Sequence, residues 1–166
     1  MLKKYNIISK YGYLTINIDL DLSLQSKIIY KNKKFKLKKE FHITLLNMKN
    51  INLLVNGNYI VNKKLIKKIK KIVEKHVNSY GLNVIIKDEY KIVKRSGVES
   101  IIQMVDLKNF HILFEKLSRE LGVCIPIQPF HITIYTRNSN LGINLRSFRE
   151  LKELSEKINF KKYVKK

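Results

Sequence analysis

Two short segments of this sequence share one pattern of residue types. The segment Phe41–Leu45 reads Phe-His-Ile-Thr-Leu, and Phe130–Ile134 reads Phe-His-Ile-Thr-Ile; the second histidine follows the first by 89 positions, from 42 to 131. Alternate side chains of a β-strand point to the same face. Each segment therefore predicts a strand that presents an imidazole and a hydroxyl side by side, with its apolar neighbours turned into a core.

Two such strands facing each other would surround one small polar site with two imidazoles and two hydroxyls. Imidazole titrates near pH 6.5. At a pH close to this value, one neutral and one protonated ring can therefore coexist. The neutral ring can accept a proton from an attacking oxygen, and the protonated ring can give one to a leaving oxygen. Hydroxyls can stabilise the negative charge that develops on the non-bridging oxygens. This is the chemistry of phosphodiester cleavage, and it requires no metal ion.

The other residues that could support catalysis lack a matching partner. His76 and His111 each adjoin apolar residues in helical segments, and we expect both to be structural. No His-Glu-x-x-His motif occurs, and the single cysteine, Cys124, excludes Cys-rich zinc sites and an intrachain disulfide. Cys124 lies in an apolar run, which predicts an inert buried thiol. The sequence thus predicts neither a metal site nor a cofactor.

The charge balance favours a polyanionic partner. The chain of 166 residues carries 34 Lys and Arg against 13 Asp and Glu, a formal net charge of +21. Such a balance suits RNA, DNA, nucleotides or an anionic membrane surface. Only five of the basic residues are Arg, and Lys, Asn and Ile all have AT-rich codons, so the charge is equally well explained by genome composition. No segment approaches the roughly 20 apolar residues that a membrane span needs, so we expect a soluble, cytoplasmic protein.

Strands and helices alternate along the chain. The segment 62–80 has the clearest helical spacing, with Asn62 as its cap, an apolar stripe, and lysines on the remaining faces. Two further helices are expected at 107–121, capped by Asp106, and at 145–158. Strands are expected at 14–20, 41–47, 82–94, 98–105 and 130–137, with loops at 21–34 and 47–58. Each half of the chain therefore contains a helix and one His-x-Thr strand.

The paired apolar-His-x-Thr-apolar segments, in a small α/β chain, resemble the two-histidine (2H) phosphoesterase superfamily, which includes LigT-like RNA 2′,3′-cyclic phosphodiesterases and related 2′,5′-phosphodiesterases. The Pro129-Phe130-His131 sequence is similar to the lead-in of the family's second motif. An Arg that LigT-like members often carry five residues after the second His is replaced here by Thr136, and Arg137 follows. The resemblance implies an α/β (α+β) bilobal fold: one domain, 1–166, with pseudo-twofold lobes at about 1–96 and 97–166. Each lobe would contain a small antiparallel sheet and helices, with the site in the cleft between them.

The resemblance also implies roles for individual residues. His42 and His131 would be the acid–base pair, with either one as the base, and Thr44 and Thr133 would bind phosphate. By strand alternation, Tyr135 and Arg137 continue the face of the second motif, where a Tyr could stack on a base and an Arg could bind phosphate. The alternatives are sheet packing for Tyr135 and a solvated strand end for Arg137. Tyr13 on the first strand is a further stacking candidate.

We therefore expect a monomeric, metal-independent phosphodiesterase that acts on RNA or an oligonucleotide. Its substrate would be a 2′,3′-cyclic phosphate end, or a 2′,5′-linked or cyclic oligonucleotide. One alternative is a basic RNA-binding module of the same fold without catalysis, whose binding would fall with salt and be indifferent to both histidines. A second is an RNA ligase or repair activity that runs the same site in the opposite direction.

Overall fold

The computed structural model describes residues 7–10, 12–20, 23–60, 62–160 and 164–165. Within these residues the chain has an α+β fold with an antiparallel main sheet and four helices, which confirms the predicted class. The helices are α1 (Met48–Asn56), α2 (Lys63–Tyr80), α3 (Phe110–Leu121) and α4 (Phe148–Leu154). The strands are β1 (Ile7–Lys10), β2 (Tyr13–Asn17), β3 (Ser23–Leu24), β4 (Lys27–Tyr30), β5 (Lys33–Leu37), β6 (His42–Asn47), β7 (Val84–Arg95), β8 (Val98–Leu107), β9 (Phe130–Arg137), β10 (Ser155–Ile158) and β11 (Val164–Lys165).

The main sheet brings the two His-x-Thr strands together at its centre. Its order among the described strands is β1-β2-β6-β9-β8-β7-β10, the β4–β5 hairpin joins through β5 and β9, and β3 pairs separately with β11. The strands β6 and β9 run antiparallel, with Ile43 opposite Ile132. The two motifs therefore share one continuous sheet, where a separate small sheet for each was expected.

One face of the sheet is covered by α1, α2 and α3. Ile43 and Ile132 are fully buried there, together with Ile69 of α2 and Leu113 of α3. We call this the helix face. At roughly 25 cal/mol per Å² of apolar surface, this burial is the main force that fixes which side of β6 and β9 points inward. The remaining side of both strands must then carry the histidines and threonines.

The opposite face, which we call the motif face, is covered over only part of its width. A small apolar cluster of β8, α4 and the segment before α4 lies beside β9 and includes Ile102, Met104, Ile143 and Leu145. On the other side of the motif strands, Asn17 of β2 is exposed. The motif face is thus covered next to the second motif and accessible next to the first.

The helix expected at 107–121 begins at Phe110 after Asn109, and its expected cap, Asp106, lies in β8. Three further segments differ in type from the sequence predictions. The segment expected as a loop at 47–58 contains α1, because Asn47 caps a helix directly at the end of β6; its Oδ1 accepts from the backbone N–H groups of Lys49 and Asn50. The helix expected at 145–158 ends at Leu154, and β10 pairs with β7 instead. The segment expected as a loop at 21–34 contains most of the β4–β5 hairpin. All of these elements are short, so their local patterns are weak, and β10 in addition depends on a partner strand, β7, that is distant in sequence.

The lobe boundary predicted at residue 96 falls within the turn of the β7–β8 hairpin. The two strands pair from Arg95↔Val98 to Val84↔Leu107, so β7 belongs to the same half of the sheet as β9. The strands on either side of the predicted boundary therefore pair with each other, and the division into two lobes stays a prediction.

Candidate active site

The register of the central strands places the four motif side chains in a compact block. Because Ile43 lies opposite Ile132, the antiparallel register sets His42 beside Thr133 and Thr44 beside His131. All four side chains alternate with buried isoleucines, so they point to the motif face. Each of the four residues is partly exposed. The sequence prediction that the two motifs form one site is consistent with this placement.

The two histidines are diagonal neighbours across the β6–β9 pair. Diagonal positions on adjacent antiparallel strands lie roughly 7–8 Å apart. That separation leaves room for one tetrahedral phosphate between the rings, with a hydroxyl from Thr44 or Thr133 on either side. Such an arrangement can supply a base and an acid on opposite sides of a phosphorus atom, as in-line displacement requires.

The flanking strands extend this block by two polar residues that the sequence analysis did not identify. On β2, Asn17 pairs with His42, and Thr15 pairs with Thr44. On the other side, β8 places Ile102 beside Thr133 and Met104 beside His131. The site is therefore bordered by polar side chains next to the first motif and by apolar ones next to the second. The alternation of residues 14–18 predicted a polar strand face, but not that this strand would adjoin β6.

His131 lies in the covered part of the motif face, beside Met104. The pKa of His131 is lowered to about 4, mainly by burial; the backbone carbonyls of Pro129 and Ile143 act in the opposite direction, and His42 adds a smaller lowering effect. The Nδ1 atom is buried and makes no hydrogen bond of ordinary geometry to the described residues, so the two carbonyls compensate only a little of the cost of burying a charge. At neutral pH the His131 ring is neutral.

His42 has a more polar surrounding. Burial and then the positive charge of Lys38 lower the pKa of His42, while Glu40 acts to raise it. Lys38 is fixed at this position because its backbone N–H donates to the Ile134 carbonyl at 2.8 Å, and its Nζ donates to the Asn140 carbonyl at 2.7 Å. Lys38 is therefore a cation beside the block that could bind an anionic substrate.

The chain segment before α4 covers Thr133 closely. A Cβ atom at Gly142 would lie 2.5 Å from Thr133 Oγ1 and 3.1 Å from its Cβ. Only a residue without a side chain fits against the threonine here, and the next residue, Ile143, packs on Met104 and Ile102 in the apolar cluster. We call residues 140–145 the covering segment. It determines how a substrate can approach the second motif.

A side chain from the connection before β9 holds the first motif in place. Gln128 Nε2 donates to the carbonyl oxygens of Thr44 at 2.8 Å and Leu45 at 3.2 Å. β6 has a bulge there, since Leu14 pairs with Leu46 and Thr15 with Thr44, leaving Leu45 without a partner on β2. Gln128 thus satisfies carbonyl groups at this irregularity and stabilises the position of Thr44.

The prediction that Tyr135 and Arg137 continue the face of His131 is wrong. Ile101 pairs with Tyr135 and Ile102 with Thr133, so Ile134 is an extra residue that reverses the alternation of β9. Tyr135 is fully buried, and its hydroxyl donates to the Gln25 carbonyl at 2.8 Å, so it cannot stack on a base.

Arg137 lies away from the motif face, whereas Tyr13 remains a candidate for stacking. Arg137 alternates onto the side of Tyr135, and its guanidinium donates to Glu99 at 2.8 Å, so its charge is neutralised away from the motif face. Glu99 also pairs with Lys33 at 2.6 Å. Tyr13 is partly exposed and pairs with Asn47 beyond the β6 bulge. Its role as a stacking residue stays a prediction.

The remaining titratable candidates lie outside this block. His76 is buried between the rings of Tyr80 and Phe110, which confirms a structural role, whereas His111 is exposed on α3. Cys124 is exposed, so the prediction of a buried thiol is wrong. In the part of the chain that the structure describes, no group of three or more His, Cys, Asp or Glu side chains could hold a metal ion. No described helix is long and apolar enough to cross a membrane.

Comparison of this chain with family models, with curated proteins and with solved structures gives no match in any of the three.

Proposed function

We propose that this protein is a metal-independent phosphodiesterase that acts on RNA-derived substrates: 2′,3′-cyclic phosphate ends, or 2′,5′-linked or cyclic oligonucleotides. The observation that carries the proposal is the pairing of Ile43 with Ile132, which sets both histidines and both threonines on one face of adjacent strands. The two His-x-Thr pairs are 89 positions apart in sequence, and they come together because β6 and β9 are neighbouring strands.

The surroundings of the two rings support an assignment that the sequence leaves open. His131 is the base, because burial keeps its ring neutral far below neutral pH. His42 is the acid, because Glu40 partly offsets the lowering of its pKa by burial and Lys38, and because its β2 neighbour Asn17 is exposed to solvent. Thr44, Thr133 and Lys38 stabilise the non-bridging oxygens.

Hydrolysis of a cyclic phosphate then proceeds in one balanced sequence. A water molecule gives a proton to His131 while its oxygen bonds to phosphorus, forming a phosphorane that Thr44, Thr133 and Lys38 stabilise. The ester oxygen on the opposite side leaves and takes the proton of His42. The product is a phosphomonoester and a free ribose hydroxyl, and proton exchange with solvent restores both histidines.

The assignment predicts an acidic pH optimum. In the active form of the free enzyme, His131 is neutral, which requires a pH above its pKa of about 4. His42 is protonated, which requires a pH below its own pKa, and burial and Lys38 lower that pKa from 6.5. The profile of kcat/KM should therefore be bell-shaped between these two values and fall toward pH 7, because kcat/KM reports the ionisation of the free enzyme.

The symmetry of the strand order supports the bilobal arrangement of the two-histidine phosphoesterases. The order β1-β2-β6 on one side mirrors β7-β8-β9 on the other, about an axis through the Ile43–Ile132 pair. In this proposal each half is one lobe, and the motif face between them is the cleft.

The basic helix α2 favours a second candidate, an RNA-binding function without catalysis. Its lysines are mostly exposed, but α2 packs on the helix face, on the opposite side of the sheet from His42 and His131. An RNA bound along α2 would not reach the motifs by the same path. Binding of that kind should depend on salt and on α2, and should not depend on the histidines.

The deciding experiment uses the wild-type protein, His42→Ala, His131→Ala and His111→Ala, with EDTA present. Each is incubated with RNA carrying a 2′,3′-cyclic phosphate end, with 2′,5′-oligoadenylates and with cyclic oligonucleotides. We expect wild type and His111→Ala to cleave at least one substrate class, and the two motif variants to lose that cleavage. Undiminished cleavage by both motif variants would refute the proposal; tight, salt-sensitive RNA binding without any cleavage would establish the binding module instead.

A further inference from the structure

The outer side of the β4–β5 hairpin lies on the motif face of the sheet. Lys36 of β5 pairs with Thr136 of β9, and Thr136 pairs on its other side with Ser100 of β8. Ser100 is two residues before Ile102, which pairs with Thr133. Directly opposed residues share a face, and so do alternate residues of one strand. Lys36 therefore points to the same face as Thr133 of the second motif, although the extra residue in β9 lies between Thr133 and Thr136.

Two further lysines join Lys36 on this face. Lys34 precedes it by two residues, and Lys27 of β4 lies directly opposite it. The alternate residues Ile28 and Phe35 are buried in the apolar core on the other side of the hairpin, so the three lysines must face outward. All three are exposed. We call Lys27, Lys34 and Lys36 the lysine track.

The charges of the lysine track are uncompensated, whereas the other lysines of the hairpin have carboxylate partners. Lys33, which faces the core side, pairs with Glu99 at 2.6 Å. Lys31, in the turn, pairs with Glu156 at 3.2 Å. No lysine of the track forms an ion pair in the part of the chain that the structure describes. The same hairpin thus neutralises its other lysines and leaves those on the motif face available to an anion.

Two of these charges repel each other. Lys27 and Lys36 are directly opposed in the register, where Cβ atoms are roughly 4.5–5.5 Å apart and like charges destabilise the strand pair. An anion bound between the two ammonium groups removes this repulsion. The pair therefore favours a polyanionic partner for this face of the hairpin.

The lysine track continues the line of the first motif along β9. Because β8 occupies one edge of β9, both β5 and β6 pair with the other edge. Between them, Lys38 donates its backbone N–H to the Ile134 carbonyl at 2.8 Å. Lys36 pairs with Thr136, three residues along β9 from Thr133, which corresponds to at most roughly 10 Å. The lysines therefore lead away from the two-histidine block on its own side of the sheet.

We propose that the lysine track binds the phosphates of an RNA strand whose reacting phosphate occupies the two-histidine site. The inference rests on the proposed function and extends it, because it names the substrate as an oligonucleotide with several phosphates beyond the one that is cleaved. The three lysines offer cations for about three such phosphates. A mononucleotide cyclic phosphate would occupy the two-histidine block without reaching the track.

The test uses two triple variants with the same change in net charge. One replaces the lysine track: Lys27→Gln, Lys34→Gln and Lys36→Gln. The control replaces three exposed lysines of α2, which packs on the helix face, on the opposite side of the sheet: Lys64→Gln, Lys67→Gln and Lys71→Gln. These lysines also lack an ion pair among the described residues. All six positions are exposed, so we expect both variants to fold.

Dissociation constants are measured by fluorescence anisotropy in a His42→Gln background, which prevents cleavage, for a short RNA with a 2′,3′-cyclic phosphate end. Loss of the track should weaken binding about ten-fold or more at about 0.1 M salt. The slope of log Kd against log salt concentration should fall by about two, because each phosphate contact to a single strand contributes about 0.7. The α2 variant should weaken binding about three-fold or less and change the slope by less than about one.

Steady-state rates of the active proteins locate the contacts along the substrate. The track variant should lower kcat/KM for the short RNA and leave kcat/KM for adenosine 2′,3′-cyclic monophosphate unchanged, because that mononucleotide has no further phosphate. An equal effect of the two triple variants would overturn the proposal, since the lysines would then act only through net charge. An equal loss for the RNA and for the mononucleotide would also overturn it, because the effect would then lie at the reacting phosphate.

The binding measurement distinguishes failure of the lysine track from failure of the proposed function. If the wild type cleaves no substrate, RNA binding that only the track variant weakens would support the track without the catalytic site. RNA binding that only the α2 variant weakens, or no RNA binding at all, would overturn the track. Vesicles of phosphatidylserine and phosphatidylcholine test the other polyanion: track-dependent vesicle binding together with track-independent RNA binding would assign this face to a membrane and overturn the proposal.

Discussion

The two His-Ile-Thr segments are nearly identical in sequence, yet the fold gives them different surroundings. The first, on β6, has the exposed Asn17 on one side and the cation of Lys38 nearby. The second, on β9, has Met104 on one side and lies beneath the covering segment, which contacts Thr133 through Gly142. The first imidazole therefore lies near charged side chains and an exposed polar residue, and the second lies near backbone and apolar side chains.

In the proposed mechanism, this difference allows one sequence motif to provide two chemical roles. A base must stay neutral and an acid must stay protonated at the same pH, so two equivalent histidines would work poorly together. Burial separates them, since desolvation disfavours the charged ring more strongly the deeper the ring lies. In the proposed mechanism, burial under the covering segment, rather than the motif itself, keeps the His131 ring neutral, so that it can accept a proton.

The largest expected effect comes from removing either ring. His42→Gln and His131→Gln should each lower kcat by about 10²–10⁴-fold, the usual contribution of a general acid or base. His111→Gln, an exposed histidine on α3, should leave kcat unchanged. Rates are measured on the best substrate under saturating conditions. If only one of the two motif variants loses activity, His42 and His131 do not act together as an acid–base pair.

The second expected effect is on the stability of the fold at acidic pH, where His131 in the second motif should contribute more to the pH dependence than His42 in the first. The pKa of His131 is about 4 when folded and about 6.5 when unfolded, so the unfolded chain binds more protons between these values. Stability should therefore be unaffected above pH 6.5 and fall as the pH drops from 6.5 to 4, by on the order of 3 kcal/mol. Urea unfolding of wild type and His131→Gln at several pH values measures this.

The variant His131→Gln should show a flatter dependence over the same window, and His42→Gln should flatten it less. His76, whose pKa burial also lowers, contributes a loss of the same sign to all three proteins. An equal pH dependence in wild type and His131→Gln would show that the ring is not held neutral by the fold.

The third effect is steric and concerns the contact between Gly142 and Thr133. Gly142→Ala should destabilise the protein by about 1–3 kcal/mol, because its Cβ has no room beside Thr133 Oγ1. In a Thr133→Ala background the same change should cost less, since the hydroxyl and the methyl group are gone. Asn17→Val, which adds bulk next to His42 on the exposed side, should stay within about 0.5 kcal/mol. Additive costs in the double mutant would argue against a close contact.

The smallest expected effect concerns the pKa of His42 in the first motif. Lys38→Met removes a positive charge that lowers the pKa of His42, so this pKa should rise and the alkaline limb of kcat/KM should move to higher pH. Lys39→Met, an exposed neighbour, serves as the matched control. The imidazole resonances are followed by NMR titration. A shift of equal size in both variants would mean that Lys38 acts only through the net charge.

The elements with a strong local pattern were predicted correctly. The helix at 62–80 is found at 63–80, with Asn62 as its cap through a 2.6 Å bond from the Leu65 backbone N–H. The strand at 130–137 has those bounds in the structure. Hydrophobic periodicity and capping depend on residues within a few positions of each other, so the sequence contains that information locally.

The face of Tyr135 could not be predicted, because it depends on a bulge. Simple alternation places 131, 133 and 135 on one side, but the register with β8 shifts between Ile101 and Ile102 and turns Tyr135 into the core. A single extra residue in one strand reverses every position beyond it. Nothing in the local sequence of β9 indicates where its partner skips a residue.

By itself, the sequence determined which residues could do the chemistry: two imidazoles and two hydroxyls on strands with an apolar opposite face. The tertiary structure decided that β6 and β9 are adjacent and that Thr15, Asn17 and Lys38 join them. It also decided that Gly142 and Ile143 cover only one of the two rings. The physical reason is that types and alternation are properties of neighbouring residues, whereas strand pairing, burial and the pKa of a buried histidine arise from contacts between segments that are about a hundred residues apart.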